Sequence, residues 1–366
     1  MNDRILFRNP KSGLVELKEF SDRAAYAKWV KDPVTGEIGL KEFAADSQLG
    51  LLRIADPVLT TISQGYQPQQ DLIGDILFPP VKVQRESGRF PAFGKELLLI
   101  PGNIKRPVGG VVTRYQSQTG YITMSLSEYA EGFNVENREL NEWVGTSDQL
   151  LIARQNGVNE QIALYREYLQ SVLATTTGSY ATNYALSGAA KAWATAGDPI
   201  KDMLQLIALV RKTNTRRVDT VWFTPTAWYL FTNNRNVINR IKYGGSPADP
   251  AELYVSGENA VAKVLGVQRV VVAWASYAYG TTGGFNQAAG TTDFLWEAVN
   301  GACAGCAVTG LGWMIPAFGY TYELLNSPIV ESWYDNSVKS MKYDYEHFFD
   351  PAVTKTDGGG MYYALA

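Results

Sequence analysis

Two cysteines and one histidine are the residues of this sequence best suited to nucleophilic, redox or metal chemistry. Cys303 and Cys306 form a C-x-x-C segment, "CAGC", a spacing found in zinc sites and in redox pairs. A zinc site needs about four ligands, and His347 is the only histidine. A redox pair normally opens a helix, whereas "NGACAGCAVTG" has the small residues of a strand. We therefore predict that both cysteines are buried packing residues.

Catalytic motifs are missing around the remaining candidates. His347 lies in the aromatic stretch "YDYEHFFD", and no G-x-S-x-G elbow accompanies it, so we expect a packed or surface histidine. The glycine-rich stretches "GGSPADP", "GTTGG" and "DGGGMYY" lack the spacing of a phosphate-binding or dinucleotide-binding loop. We predict no catalytic, cofactor-binding or metal-binding residue, and hence a protein that is not an enzyme.

Two charged segments are more informative. Residues 81–114 contain seven basic residues, Lys82, Arg85, Arg89, Lys95, Lys105, Arg106 and Arg114, against Glu86 and Glu96. Residues 128–142 contain five glutamates, Glu128, Glu131, Glu136, Glu139 and Glu142, against Arg138. The basic segment could be a solvated hairpin, a nucleic-acid contact with few stacking aromatics, or a docking arm.

We favour the docking arm, because a projecting hairpin cannot easily neutralise its own acidic base but can lie on the base of a neighbouring copy. The predicted contact residues are Arg85, Arg89, Lys95, Lys105 and Arg106 on the hairpin, and all five glutamates on the base. The acidic segment alone could also hold a cation or serve acid–base chemistry, but a partner-facing surface is the simpler interpretation.

The elements that would position these residues follow from turn signals and periodicity. The segment 21–32 has the spacing of a short helix capped by Ser21. The segment 73–84 is strand-like, and 96–102 with 109–126 form the strands of a long hairpin. A helix of about 30 residues begins near Ser147, with one apolar stripe formed by Leu151, Val158, Ile162, Tyr165, Leu169 and Val172.

The second half alternates helices and strands. Asp198 and Pro199 open one helix, Thr224 and Pro225 a second, and "SGENAVAKVLG" is a third. "VDTVWFT" and "VQRVVVAWASY" are predicted strands, so residues 198–310 form a compact α/β or α+β domain. "YTYELLN", "SVKSMKYDYEHFF" and "GMYYALA" return to strand.

Composition limits the class of protein. The chain has 366 residues, of which 46% are hydrophobic and 19% charged, so it is globular, with one elaborated domain or two. A net charge of −3 argues against a chain that binds nucleic acid over its whole surface. The N-terminus lacks a signal-peptide pattern, no apolar run reaches 18 residues, and two cysteines make no disulfide framework, which predicts a cytoplasmic product without a membrane span.

The order of these segments, with phrases such as "IGDILFPPVKVQRESGRFPAFGKE", "ENAVAKVLGVQRVVVAWA" and "SPIVESWYDNSVKSMKYDYEHFFDPAVTKTDGGGMYYAL", resembles the tailed-bacteriophage major capsid proteins of the Hong Kong 97-like fold. The resemblance runs from about residue 50 to the end. It implies an α+β fold with an N-terminal arm at 1–70, a P-domain strand with the E-loop hairpin at 71–127, and P-domain residues with the spine helix at 128–197. An α/β A-domain at 198–318 and return strands of the P-domain at 319–366 complete it.

The same resemblance implies self-assembly through hexamers and pentamers into an icosahedral shell, made in the host bacterial cytoplasm and located in the virion. Implied partners are other copies of the chain, packaged double-stranded DNA through weak non-specific contacts, a portal and a decoration protein. Only about 50 residues precede the resemblance, so either a separate scaffolding protein acts or none is needed. Two alternatives stay open: an encapsulin-type nanocompartment shell, and a soluble α/β enzyme such as a hydrolase.

Overall fold

The computed structural model describes most of the chain from residue 54 onward. The described residues are 54–92, 105–106, 108–110, 120–181, 185–187, 193, 197–214, 216–243, 252–279, 291–310 and 316–365, together with the backbone of four short strands before residue 41. Two compact units are present, each discontinuous in sequence. The smaller contains Met1–Asp56, Gly132–Leu151 and Glu331–Asp344, and the larger contains Pro57–Glu131, Ile152–Val330 and Tyr345–Ala366.

Three of the described helices begin at a proline. The described helices are α1 (Pro57–Gln64), α2 (Gly74–Leu77), α3 (Asn137–Glu142), α4 (Ser147–Thr175), α5 (Pro199–Thr213), α6 (Pro225–Thr232), α7 (Arg235–Tyr243) and α8 (Glu252–Leu265). The predicted start of α5 is confirmed, because Asp198 accepts a hydrogen bond from the backbone N–H of Lys201 and Pro199 occupies the first helical position. None of the described helices is long and apolar enough to cross a membrane.

Most of the described strands are short, and the two longest have 10 and 14 residues. The described strands are β1 (Asp3–Arg8), β2 (Val15–Phe20), β3 (Trp29–Lys31), β4 (Ile38–Leu40), β5 (Ile54–Ala55), β6 (Pro80–Val83), β7 (Ser87–Ala92), β8 (Gly120–Ser125), β9 (Ser127–Glu136), β10 (Ala185–Ser187), β11 (Thr220–Phe223), β12 (Arg269–Val272), β13 (Ser276–Tyr279), β14 (Thr291–Phe294), β15 (Ala304–Ala307), β16 (Gly319–Leu324), β17 (Ile329–Asp335), β18 (Ser340–Val353) and β19 (Gly359–Tyr363).

A five-stranded mixed sheet with the order β10-β19-β15-β11-β12 forms the main core of the larger unit. Strands β11 and β12 are parallel, while β15 is antiparallel to both of its neighbours. Helix α5 packs on β15 and β19, and its buried face includes Met203, Leu206 and Val210. Trp222 lies opposite Gly305 in the sheet, where an added Cβ would come within 2.5 Å of the indole. The glycine therefore makes room for the tryptophan.

The second sheet region of the larger unit is built around β16, which pairs antiparallel with β18 and parallel with β6. Its core includes Val81, Val83, Tyr320 and Tyr322. Strands β7 and β8 form an antiparallel pair beside it, and the ring of Phe90 stacks on Tyr322 at a centroid distance of 4.5 Å. The rings thus attach the base of this two-stranded ribbon to the sheet.

A short strand pairing, a ring contact and an ion pair are among the contacts within the smaller unit. Strand β5 pairs antiparallel with β17 through Ile54 and Ala55, and the ring of Phe133 stacks on Tyr343 at 4.9 Å. Lys342 Nζ lies 2.6 Å from Asp335. Hydrogen bonds from Lys342 and from Ser337 hold the pKa of Asp335 at about 2.

Helix α4 has the predicted position and, with 29 residues, a length of about 44 Å. Its predicted apolar stripe is only partly buried: Val158 and Ile162 are buried, Leu151, Leu169 and Val172 are half-buried, and Tyr165 is 44% exposed. The stripe was therefore wrong at Tyr165. Much of the buried face is polar, namely Gln155, Asn159, Glu167, Gln170, Ser171 and Thr175.

Other local predictions need correction. The segment 73–84 is not one strand, because it begins with the short helix α2 and continues as β6. The reason is tertiary: the carboxylate of Glu167 on α4 accepts hydrogen bonds from the backbone N–H groups of Ile73 and Gly74, at the start of α2. The predicted helix at 21–32 includes β3, which pairs with β4, and residues 21–28 lie outside the described part. Strand β17 was not predicted at all.

Candidate subunit-contact site

The basic residues predicted to make contacts are exposed wherever the structure describes them. Arg85 lies two residues before β7, and Arg89 lies in β7 opposite Thr123 of β8. Lys105 and Arg106 are exposed as well, and Arg106 Nε donates a hydrogen bond to the carbonyl oxygen of Gly110 at 2.6 Å. Lys95 and the predicted strand at 96–102 lie outside the described residues.

The five predicted glutamates divide between the two units. Glu136, Glu139 and Glu142 belong to the smaller unit, where Glu142 forms an exposed i,i+4 ion pair with Arg138 at 2.8 Å. Glu128 and Glu131 lie on β9 in the larger unit. Of the five glutamates, only Glu128 and Glu131 therefore lie in the same unit as the basic ribbon of β7 and β8.

Glu128 and Glu131 line an open groove of about 1150 Å³ on the larger unit. Helix α4 supplies one wall, and residues around β13 and the short 3₁₀ turn at 295–297 supply another. The lining is mainly apolar and aromatic: Tyr129, Ala130, Gln161, Ile162, Leu164, Tyr165, Tyr168, Tyr277, Ala278, Leu295 and Ala298. We call this feature the tyrosine groove.

Packing fixes the aromatic wall of the tyrosine groove. The ring of Tyr129 stacks on Phe349 at 4.4 Å and contacts Tyr165 at 5.4 Å. Tyr165 and Tyr168 are 6.1 Å apart and remain 44% and 38% exposed. Large aromatic rings that are held rigid yet exposed are characteristic of contact surfaces, because little side-chain entropy is lost when a partner covers them.

Two carboxylates give the groove a negative wall. Burial raises the pKa of Glu131, which is half-buried. With the Gln161 amide oriented so that its nitrogen faces Glu131, it donates to the two carboxylate oxygens at 2.5 and 2.9 Å. Glu128 is exposed. A guanidinium entering the groove could pair with these carboxylates and lie on a tyrosine face.

A cluster of four charged residues on the larger unit, of which Glu323 is buried and Arg166 nearly so while Asp75 and Lys82 are exposed, was missed at the level of sequence. Arg166 on α4 lies between Glu323 on β16, to which its Nη1 donates, and Asp75 on α2, whose Oδ1 is 2.7 Å from its Nη2. Lys82 on β6 is 2.6 Å from Glu323. Burial alone would raise the pKa of Glu323, but Arg166 and Lys82 outweigh it and lower that pKa.

This cluster borders a cleft of about 190 Å³ between α1, α4 and the second sheet region. The charges are separated by many residues in the sequence, so no local pattern could indicate them. Because they join α4 to α2, β6 and β16, they hold the helix in the orientation that presents Tyr165 and Tyr168 to the groove.

The residues first considered for chemistry are packed inside the larger unit. Cys303 and Cys306 are buried, as predicted, and burial raises the pKa of each thiol to about 12. His347 is also buried, and burial lowers its pKa to about 4, so the imidazole is neutral near pH 7. Among the described residues, no group of three or more His, Cys, Asp or Glu side chains could hold a metal ion.

Comparison with known proteins identifies the class of fold. No protein-family model matches the sequence. The chain is 30% identical over 199 residues to the major capsid protein of Burkholderia phage BcepMu, an alignment that covers 54% of this chain and 63% of that relative. The chain thus spans less than two thirds of the relative's length.

Solved structures agree. A phage-related protein from Bordetella bronchiseptica matches with a TM-score of 0.65 at 22% identity, over 86% of this chain and 98% of its own. The capsid of cyanophage P-SCSP1u matches with a TM-score of 0.51 at 15% identity, over 82% of this chain and 89% of its own. The mature capsid of bacteriophage PhiM1 matches with a TM-score of 0.51 at 14% identity, over 92% of this chain and 94% of its own. The chain has the mixed helix and strand fold of phage capsid proteins, and the resemblance predicted from the sequence is confirmed.

Proposed function

We propose that this chain is the major capsid protein of a tailed bacteriophage, and that it assembles through hexamers and pentamers into an icosahedral shell around phage DNA. The observation that carries the proposal is the similarity over 199 residues to a protein named major capsid protein. The shared fold of phage capsids supports it. The role is structural, and its place is the virion.

The domain assignment is part of the same proposal. The N-terminal arm is 1–70, the E-loop with its P-domain strand is 71–127, and the spine-helix part of the P-domain is 128–197. The A-domain is 198–318, and the return strands are 319–366. The pairing of β7 with β8 supports a hairpin in the second segment. Within 198–318, the pairing of β11 with β12 and β15, and the packing of α5 on β15, support a compact A-domain, and its sheet is extended by β10 and β19 from the two flanking segments.

The subunit contact follows from the charges and the exposed rings. The basic hairpin of one copy, with Arg85, Arg89, Lys95, Lys105 and Arg106, lies along the tyrosine groove of its neighbour. Glu128 and Glu131 attract the hairpin, and burial of Tyr165 and Tyr168 supplies the larger part of the free energy, since exposed ion pairs contribute only about 0.2–1 kcal/mol each. Glu136, Glu139 and Glu142 form a second acidic surface for neighbouring copies.

Further partners belong to the proposal on the strength of the fold alone. A portal, a decoration protein and a separate scaffolding protein would meet the shell, and packaged double-stranded DNA would contact it weakly and without sequence preference. No cofactor is required for any of these contacts.

Electron microscopy of the purified full chain tests the assembly. The expected result is closed icosahedral particles, or hexamers and pentamers that close when the salt concentration is lowered. Sedimentation that shows only a species of 40.3 kDa at every concentration and salt condition would contradict the proposal. Particles from infected or lysogenic cells should contain DNA. A packaged enzyme in place of DNA would instead assign the shell to the encapsulin type.

A further inference from the structure

A second charged surface of the larger unit lies far along the chain from the hairpin. A cleft of about 490 Å³ is formed by the loop between α5 and β11 and by the end of α8. Three cationic side chains in its lining are exposed: Arg216, Arg217 and Lys263. The remaining lining is Val218, Asp219, Ala262, Gly266, Val267 and Gln268. We call it the basic cleft.

Local structure holds the two arginines in place. Helix α8 ends at Leu265, and Gly266 follows with a φ of +67°, a conformation that favours glycine. Arg217 Nη2 donates a hydrogen bond to the carbonyl oxygen of Gly266. Arg216 Nη1 donates to the carbonyl oxygen of Thr309 at 3.1 Å. Because a guanidinium has five N–H donors, each arginine keeps donors for a ligand.

A fourth cation stands beside the cleft. Arg269 is exposed, and its guanidinium donates to Thr220 Oγ1 at 2.9 Å and to Thr309 Oγ1 at 3.2 Å. Thr309 is thus contacted by both Arg216 and Arg269. The guanidiniums therefore converge on one part of the surface, although the chain as a whole has a net charge of −3.

These cations are poorly neutralised. The one carboxylate of the lining, Asp219, accepts hydrogen bonds from the backbone N–H of Thr309 at 2.9 Å and from its hydroxyl at 2.7 Å. Within the described part of the chain, no carboxylate forms an ion pair with Arg216, Arg217 or Lys263. The basic cleft therefore carries a net positive charge and open donors.

The surface chemistry favours phosphate over a protein partner. Protein interfaces have an apolar or aromatic centre, yet none of the large exposed hydrophobic side chains of the described residues lines this cleft. Fixed guanidiniums match the geometry of phosphate oxygens, and a nearby lysine adds a mobile charge. We propose that the basic cleft binds phosphate groups of a polynucleotide backbone, without reading sequence.

The inference deepens the proposed function, because DNA enclosed by a shell would supply this ligand. DNA binding by the basic cleft depends on the charges of the cleft, whereas shell assembly does not. Either claim can therefore fail while the other holds. Lys263 is the residue to change, because it is exposed and has no assigned side-chain partner within the described residues. Lys201 gives a matched control, because it is also exposed and lies in the first turn of α5, at the end of that helix away from the basic cleft.

The test measures binding of a fluorescent 20-base-pair duplex of mixed sequence to the purified full chain, by anisotropy at several salt concentrations. Lys263→Glu should weaken binding about fivefold, the factor expected for an exposed charge contact. It should also lower the slope of log K against log salt by about 1. Lys201→Glu should leave both unchanged. If Lys263→Glu is insoluble, Lys263→Gln should show a smaller loss in the same direction.

Unlabelled competitors show which kind of anion the basic cleft binds. Unlabelled duplexes of unrelated sequence should displace the probe equally well, and inorganic phosphate should do so only at far higher concentration. Equal loss of binding in Lys201→Glu, or none in Lys263→Glu, would overturn the proposal. So would displacement by polyglutamate as efficient as by DNA, because the cleft would then suit an acidic protein. Micrographs of the same samples report shell formation independently.

Discussion

His347 shows how burial decides the chemistry of a single residue. It lies on β18 in T-shaped contact with Phe349, and its Nδ1 is 3.3 Å from the hydroxyl of Tyr345. Burial is the main cause of its lowered pKa, which Arg166 and Lys82 also lower and Glu323 raises. The side chain is therefore neutral in the folded protein at pH 7, and its Nε2 has no hydrogen-bond partner among the described residues.

This predicts a specific loss of stability in acid. The unfolded chain binds a proton at His347 near pH 6.5 and the folded chain only near pH 4. Its contribution to stability is therefore complete above pH 6.5 and decreases as the pH falls to 4. His347→Phe keeps a ring of similar shape but cannot bind a proton. The free energy of unfolding of this variant should therefore rise by about 2–3 kcal/mol relative to that of the wild type as the pH falls from 6.5 to 4.

Urea unfolding at pH 7, 6, 5 and 4, followed by tryptophan fluorescence below the concentration of assembly, measures the difference. Curves of unfolding free energy against pH that run parallel for the two proteins would show that His347 does not remain neutral in the folded state. Other groups, including Glu167, also titrate in this range, so only the difference between the two proteins is diagnostic.

The chemistry of a residue could be predicted from the sequence only where it depends on neighbours in the sequence. The burial of Cys303 and Cys306 followed from their small neighbours. The ion pairs of Arg166 with Asp75 and Glu323 could not be predicted, because they depend on the pairing of β16 with β6 and on the docking of α4. Such long-range partners leave no periodic pattern in the sequence.

Helix α4 illustrates the same limit at the scale of an element. Its existence and approximate bounds were predictable from periodicity and from Ser147 and Asp148 at its start, whereas its orientation was not. A stripe at three- and four-residue steps marks an apolar face, but an exposed tyrosine on a contact surface fits the same stripe as a buried one. The polar residues Glu167 and Gln170 are buried because tertiary donors and acceptors satisfy them.

The helix offers a matched pair of isoleucines for a test. Ile162 is 7% exposed, and Ile152 is 37% exposed. Ile162→Glu places an unpaired charge among buried side chains and should destabilise the subunit by about 3–5 kcal/mol. Ile152→Glu should change stability by less than about 0.5 kcal/mol.

Thermal and urea unfolding of the soluble variants measure the effect, and recovery in the insoluble fraction reports failure to fold. Equal stability of the two variants would mean that the described orientation of α4 is wrong. Leu169→Glu, at a half-buried position, should fall between the two.

At the scale of the whole molecule, the order of segments proved more informative than any motif. The mixed fold of phage capsid proteins was predicted from a hairpin, a long helix, an alternating helix and strand region, and return strands. The division into units could not be predicted, because both units combine distant parts of the chain. The acidic segment 128–142 illustrates this: it is continuous in sequence, yet Glu131 and Glu136 belong to different units.

That division makes the subunit contact testable. If the hairpin of one copy lies in the tyrosine groove of the next, Arg85→Glu combined with Arg89→Glu should weaken assembly, and high salt should weaken wild-type assembly modestly. Adding Glu128→Lys and Glu131→Lys should partly restore assembly, because opposite charges face each other again. Adding Glu136→Lys and Glu142→Lys instead should not, since these residues lie outside the groove.

Particle yield by sedimentation and electron microscopy gives the measurement, and circular dichroism confirms that each variant is folded. The double reversal should leave the subunit folded, because Arg85 and Arg89 are exposed. Restoration should remain partial, because Glu131 also accepts the Gln161 amide and the tyrosines supply most of the contact. Rescue by the Glu136 and Glu142 pair, with none from the Glu128 and Glu131 pair, would move the hairpin contact to the smaller unit. Unchanged yield after the double reversal would show that these two arginines make no contact in the shell.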